Sequence, residues 1–284
     1  MKVVGVEASQ VLAGRVAEHL GAEIVDARFS RFPDGEEYVQ VGEIDGETVI
    51  VGSVVNADAL MQILLLIDAC EGSEISLVVP YLGYARQDRR FKPGEPVSAR
   101  VVAQALSPGI QRVFTVNVHK ETVLSYFNVP ATNLSLAPDI GDYIECLHLE
   151  TPLILAPDGG AAEFAADVAR VGGWDTDYLK KTRLSGEEVR MEPVTIDVEG
   201  RTVVIVDDII STGGTLATAA KKLLEKGARE VHAVCVHGVF SGGAYGRLKS
   251  VGFKQIAASD TLECSCSFYS AAARIADGIG NGIH

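Results

Sequence analysis

At 284 residues the chain exceeds the usual size of one domain, so two domains of about 140 residues are expected. Its 47% apolar content suits folded cores and excludes a largely disordered chain, while a formal net charge of −13 argues against nonspecific nucleic-acid binding. The longest apolar run, Ile63–Ile67, falls well short of the roughly 18 residues of a membrane helix, which argues against membrane insertion.

Met1-Lys2-Val3-Val4 opens without the apolar core of a signal peptide, so a cytoplasmic location is expected. Lys2–Val6 reads as a strand. Ser9 is placed to cap a helix whose Val11, Leu12, Val16 and Leu20 make one apolar stripe. Strands over Thr48–Val54, Ile75–Val79 and Gln111–Val116 then alternate with helices over Ala57–Cys70 and Val97–Leu106. Between them Arg86, Arg89, Arg90, Lys92 and Arg100 form a local basic cluster that the overall negative charge does not cancel beyond about 8 Å. This first set of units ends near Asn133–Leu134, and a helix from Pro138 to about Leu147 is expected to bridge to a second.

The second set opens with a strand at Pro152–Ala156 and a helix over Ala161–Arg170. Lys180–Glu192 is polar, carries four basic residues, has no apolar period and reads as a mobile loop. Strands at Val203–Val206 and Glu230–Val236 flank a helix over Gly214–Lys226. The tail Gly278–Gly282 has no strand before it and no helix after it, and a frayed terminus is expected there. Continuously apolar strands alternating with helices indicate the α/β class, with mainly parallel sheets flanked by helices. The doubled pattern places domains at residues 1–140 and 141–284. Cys70, Cys146, Cys235, Cys264 and Cys266 are odd in number and form no CxxC pair, so they read as free thiols rather than a disulfide or zinc framework.

The most informative segment runs from Val203 to Thr215: a buried strand ends in Asp207 and Asp208, then Ser211-Thr212-Gly213-Gly214-Thr215 leads into a helix. Ligands of α/β sheets sit beyond the carboxyl ends of the strands. A helix N-terminus offers unpaired N–H groups suited to a phosphate. The glycines let the backbone close around the anion, and the hydroxyls add donors. Adjacent strand residues point to opposite faces, so Asp207 and Asp208 are expected to accept from sugar hydroxyls rather than chelate one ion as a pair.

This segment closely resembles the phosphoribosyl-binding signature of the phosphoribosyltransferase-type fold, which fits transferases and synthetases alike. The first half contains Arg31-Phe32-Pro33-Asp34-Gly35-Glu36, then Pro80 to Arg89 with Tyr84-Ala85-Arg86-Gln87-Asp88, then Val116-Asn117-Val118-His119-Lys120. Together and in this order these motifs resemble the ribose-phosphate pyrophosphokinase family over about residues 1 to 270, in its archaeal-type branch. The resemblance implies two tandem phosphoribosyltransferase-like domains. It also implies transfer of the β,γ-pyrophosphoryl group of Mg-ATP to the 1-hydroxyl of ribose 5-phosphate, giving 5-phosphoribosyl 1-pyrophosphate and AMP.

By the same resemblance Phe32, Asp34 and Glu36 seat the adenine, with the Phe32 ring stacking, and Arg86, Gln87 and Asp88 bind ATP. His119 and Asp158 stand on the Mg2+ side, and Lys181 and Arg183 form the catalytic basic pair. Asp207, Asp208, Ser211, Thr212, Gly213, Gly214 and Thr215 hold ribose 5-phosphate. Attack on the β-phosphorus builds negative charge that such cations would stabilise. There is no GxxxxGK[ST] segment, which argues against a P-loop kinase. Departures from the more common family pattern are Ser211 and Gly213 in place of Asp and Ala, Asn117 in place of an acidic residue, and Thr182 between the two basic residues. A homo-oligomer built from dimers is expected. The rival readings are a phosphoribosyltransferase that consumes the pyrophosphate product, which leaves the N-terminal motifs unexplained, and a non-catalytic homologue.

Overall fold

Runs of Val, Ile and Leu that bury both faces supply the strands of two largely parallel sheets, each in its own unit of the chain. The structure, a computed structural model, describes the backbone at residues 1–183, 189–193 and 196–281, and side chains outside 181–195. One unit comprises Met1–Ser135, Thr261–Glu263 and the stretch from Ser270; the other comprises Leu136–Asp260 and Cys264–Tyr269.

In the first unit the strands are β1 (Lys2–Gly5), β2 (Glu23–Ile24), β3 (Ala27–Arg31), β4 (Glu37–Val41), β5 (Glu47–Val51), β6 (Glu74–Val79), β7 (Arg112–Val116) and β8 (Ala131–Leu134). The helices are α1 (Gln10–Leu20), α2 (Ala57–Ala69) and α3 (Ser98–Leu106). The sheet runs β2-β1-β5-β6-β7-β8, parallel throughout, while β3 and β4 form a separate antiparallel hairpin. Val4, Ile50, Leu77 and Val113 of the sheet pack with Ile63 and Leu66 of α2 and with Val102 and Leu106 of α3.

Two local expectations change here. The buried face of α1 is Leu12, Ala13, Val16 and Ala17, and Val11 is half exposed, because the stripe follows the sheet rather than the most apolar letters. Ser9 makes no side-chain cap; its hydroxyl instead accepts from the Ser53 N–H at 3.1 Å. The Glu263 carboxylate takes over at the helix start, accepting from the Leu12 N–H at 2.9 Å.

In the second unit the strands are β9 (Leu153–Ala156), β10 (Thr176–Arg183), β11 (Val189–Pro193), β12 (Thr202–Ile210), β13 (Glu230–Gly238), β14 (Ile256–Ser259) and β15 (Ser267–Tyr269). Its helices are α4 (Ala137–Cys146), α5 (Ala162–Gly172), α6 (Gly214–Glu225) and α7 (Ala244–Ser250). The sheet runs β11-β10-β9-β12-β13-β14-β15, and only β10 and β11 pair antiparallel. The helix expected to bridge the domains, α4, packs on α5 and so belongs to this unit, which puts the junction at Ser135/Leu136. The Lys180–Glu192 stretch read as a loop contributes paired backbone, with Lys181 opposite Met191 and Arg183 opposite Val189. Residues 184–188 between them lie outside the described residues.

The expected frayed terminus is instead helix α8 (Ala272–Asn281), which packs on α1 in the first unit with Ile275 and Ile279 buried. Gly278 lies so close to Leu134 that a Cβ there would stand 2.7 Å from its side chain. The Ile275/Ile279 spacing of one helical turn carries the helix, and tertiary packing overrides the poor helix propensity of glycine. The last residues, 282–284, lie outside the described residues.

Candidate active site

In the second unit β9 and β12 are parallel neighbours, so their carboxyl ends deliver Asp158 and the Asp207–Asp208 pair to the same edge of the sheet. Beyond β12 the chain turns at Gly213, whose φ of +69° is a left-handed conformation costly for any other residue, and α6 starts at Gly214. A Cβ on Gly213 would also press on Leu248 at 3.2 Å. The segment from Ser211 to Thr215 is thereby wrapped over the first turn of α6, where unpaired N–H groups attract an anion. Thr212, Gly214 and Thr215 are exposed to solvent, as a ligand-receiving turn requires.

Two residues absent from the sequence-based expectation brace this turn. The Arg247 guanidinium of α7 donates to the Thr212 carbonyl and to the Gly242 carbonyl at 3.1 Å. The Ser241 hydroxyl stands 3.2 Å from that of Ser211. Their only sequence signal is the turn-rich Phe240-Ser241-Gly242-Gly243 stretch after β13, which no motif singles out.

The two aspartates, adjacent in β12, have carboxyls close enough to interact. The Asp207 carboxyl hydrogen-bonds with that of Asp208 and also accepts from the Asp208 N–H at 3.0 Å. Burial, then the neighbouring Asp208 and Asp158 charges, push the Asp207 carboxyl up to about 8. β12 keeps its register with β13 on both sides of Asp208 and runs on to Ile210, so the two carboxyls interact beside an unbroken ladder.

In the first unit β6 and β7 are adjacent and parallel, so Arg86-Gln87-Asp88 after β6 and His119 after β7 leave the same edge of the sheet. Gln87 donates to Glu95 at 3.2 Å, Glu95 accepts from the Phe91 and Lys92 N–H groups, and those bonds hold its carboxyl below the usual range. The Tyr126 hydroxyl donates to the Asp88 carbonyl at 2.9 Å, fixing the loop to the stretch that follows His119. Arg86 and His119 are exposed. Phe32, Asp34 and Glu36 occupy the exposed tip of the β3–β4 hairpin, where Phe32 meets Tyr38 edge-on at 5.8 Å.

The side chains of Lys181 and Arg183 lie outside the described residues; their backbone is part of β10, next to the strand that delivers Asp158. Among the described residues no three His, Cys, Asp or Glu side chains gather as a ready metal cage. Magnesium is usually carried by one or two carboxylates with phosphate oxygens and water. Asp158, half-buried beside Asp207, fits that mode.

Comparison with known proteins places this geometry in context. Residues 1–108 match the model of the N-terminal domain of ribose phosphate pyrophosphokinase, and residues 133–267 match that of the phosphoribosyl transferase domain. A ribose-phosphate pyrophosphokinase of Methanosarcina acetivorans is 47% identical over 98% of this chain and 99% of its own length. One from Halobacterium salinarum is 43% identical over 95% and 98%. A crystal structure of phosphoribosylpyrophosphate synthetase from Mycobacterium smegmatis superposes with a TM-score of 0.85 at 29% identity, covering 99% of this chain and 98% of that one.

Proposed function

The chain belongs to the ribose-phosphate pyrophosphokinase family, and from that premise we propose how its own residues divide the work of moving the β,γ-pyrophosphoryl group of ATP onto the 1-hydroxyl of ribose 5-phosphate, releasing AMP. The observation that carries the reading is the turn from Ser211 to Thr215, held open by a left-handed Gly213 at the start of α6 and flanked by two aspartates.

The N–H groups and hydroxyls from Ser211 to Thr215 receive the 5-phosphate. Asp207 and Asp208 hold the ribose hydroxyls, and the proton retained between their carboxyls lets the pair both donate and accept at neutral pH. In the first unit Phe32, Asp34 and Glu36 take the adenine, and Arg86, Gln87 and Asp88 take the rest of ATP, Arg86 reaching the phosphates. Lys181 and Arg183 bring positive charge to the oxygens that become more negative as the β-phosphorus is attacked. Mg2+, when bound, supplies further positive charge to the phosphate oxygens, and Asp158 and His119 are the groups proposed on the metal side.

A homo-oligomer built from dimers is proposed. Among the described residues no helix is long and apolar enough to cross a membrane, and a cytoplasmic setting, where ATP is made available, completes the reading.

The test is product identity. Ribose 5-phosphate, Mg2+ and ATP incubated with the protein should yield AMP and a phosphoribosyl pyrophosphate detectable by phosphorus NMR. Release of ADP would indicate an ordinary kinase, and absence of turnover would indicate a non-catalytic homologue.

A further inference from the structure

The hairpin tip from Phe32 to Glu36 is closed at its base by one cross-strand pair, Arg31 opposite Glu37. The Arg31 guanidinium lies 2.7 Å from Glu37 Oε1 and 2.6 Å from Asp58 Oδ2, at the start of α2. The Glu37 side chain is only 6% exposed, against 55% for Arg31 and 54% for Asp58. Its second oxygen accepts from Gln62 Nε2 at 3.2 Å, and buried Gln62 also donates to Glu7 at 3.2 Å. A carboxylate taken this far out of water is expensive unless paired and hydrogen-bonded, and here it has both kinds of partner. A purely structural clamp between hairpin and helix needs no charge; the apolar contacts of Phe29, Val39 and Val41 with the core already join them.

We propose that Glu37 is a positioning residue for the nucleotide: through Arg31 on one side and Gln62 on the other, it fixes the base of the tip and so the direction in which Phe32, Asp34 and Glu36 face. The carboxylate does not touch the substrate. It sets the two strand ends from which the five-residue tip springs, and the Phe32 N–H to Glu36 carbonyl bond at 2.9 Å transmits that spacing to the tip itself. Asp58 shares Arg31 from the solvent side, so its contribution is the smaller of the two. The inference rests on the assignment of the adenine to the tip.

Steady-state kinetics on the full chain separate the two ideas. Phe32→Ala tests the seat, and Glu37→Gln keeps an acceptor for Gln62 while removing the charge that holds Arg31. Both should raise KM for ATP, Glu37→Gln by about tenfold, the factor that corresponds to about 1.4 kcal/mol, with KM for ribose 5-phosphate and kcat little changed. A rise with Phe32→Ala but none with Glu37→Gln overturns the positioning role and leaves the seat standing. No rise with Phe32→Ala removes the seat and the inference with it. Should Glu37→Gln fail to fold, Asp58→Asn decides: a smaller rise confined to KM for ATP supports the role, and unchanged kinetics or an equal loss in every parameter overturns it.

Discussion

Gly213 concentrates the phosphate turn into one backbone angle, and a side chain there meets both an unfavourable φ and the Leu248 side chain. Gly213→Ala should destabilise the fold by about 1–2 kcal/mol, the usual penalty of a left-handed residue, and raise KM for ribose 5-phosphate more than KM for ATP. Thermal melts and kinetics with each substrate varied in turn check both parts. Asp207 makes a second prediction through pH. Its folded carboxyl holds a proton up to about 8, whereas an unfolded chain releases it near the ordinary value of 3.8. The folded state therefore binds more protons in that window, and the magnesium-free protein should lose stability as pH rises through it. Asp207→Asn should flatten that slope, and an unchanged pH profile of the melting temperature would count against the buried, proton-sharing pair. Sequence made the residue types of this turn legible, because Gly, Ser, Thr and Asp after a buried strand have few other uses. The interaction of the Asp207 carboxyl with that of Asp208 was not legible, since it depends on burial beside the sheet edge rather than on residue order.

Single elements were readable wherever their pattern was local. α2, α3, α5 and α6 and β6, β7, β9 and β13 fall within a residue or two of the expected spans, because β-branched runs and helical stripes carry their own period, whereas β5 ends three residues before Val54 and β12 runs four past Val206. The β3–β4 hairpin, the β10–β11 ladder and α8 were not readable in the same way. Each depends on a partner distant in sequence or on a surface that only the folded unit offers. α8 is the clearest case: three of its last four residues, Gly278, Gly280 and Asn281, are poor helix formers, and its helical state comes from Ile275 and Ile279 docked on α1. Gly278→Val should therefore destabilise the first unit by about 1–3 kcal/mol through overpacking against Leu134, even though valine is the better helix former. A denaturant titration with unchanged m-value and a lowered midpoint is the expected result; a stabilised protein would mean that propensity, not packing, governs α8.

For the whole molecule, a formal net charge of −13 sets a self-repulsion that salt relieves. Raising ionic strength from about 0.01 M to about 1 M shortens the Debye length from about 30 Å to about 3 Å and should raise the melting temperature. A melting temperature that falls with added salt would show that attractive ion pairs such as Arg31–Asp58 and Arg201–Asp175 outweigh the net repulsion. What the sequence determined by itself was the α/β class, the doubling of the pattern and a turn suited to a phosphate, because burial on both strand faces and such a turn leave a chemical signature in consecutive residues, while the resemblance of its motifs to a family implied the substrates. Tertiary structure alone decided where the chain divides, with α4 packed in the second unit and Thr261–Glu263 and α8 returning to the first. It also decided which distant groups brace the turn after β12: Arg247 under Thr212 and Ser241 beside Ser211. The physical reason is range. A strand or a phosphate turn is specified by neighbours along the chain, whereas a helix cap from Glu263 to Leu12 or a guanidinium beneath a loop exists only once residues far apart in sequence have been brought within a hydrogen bond of each other.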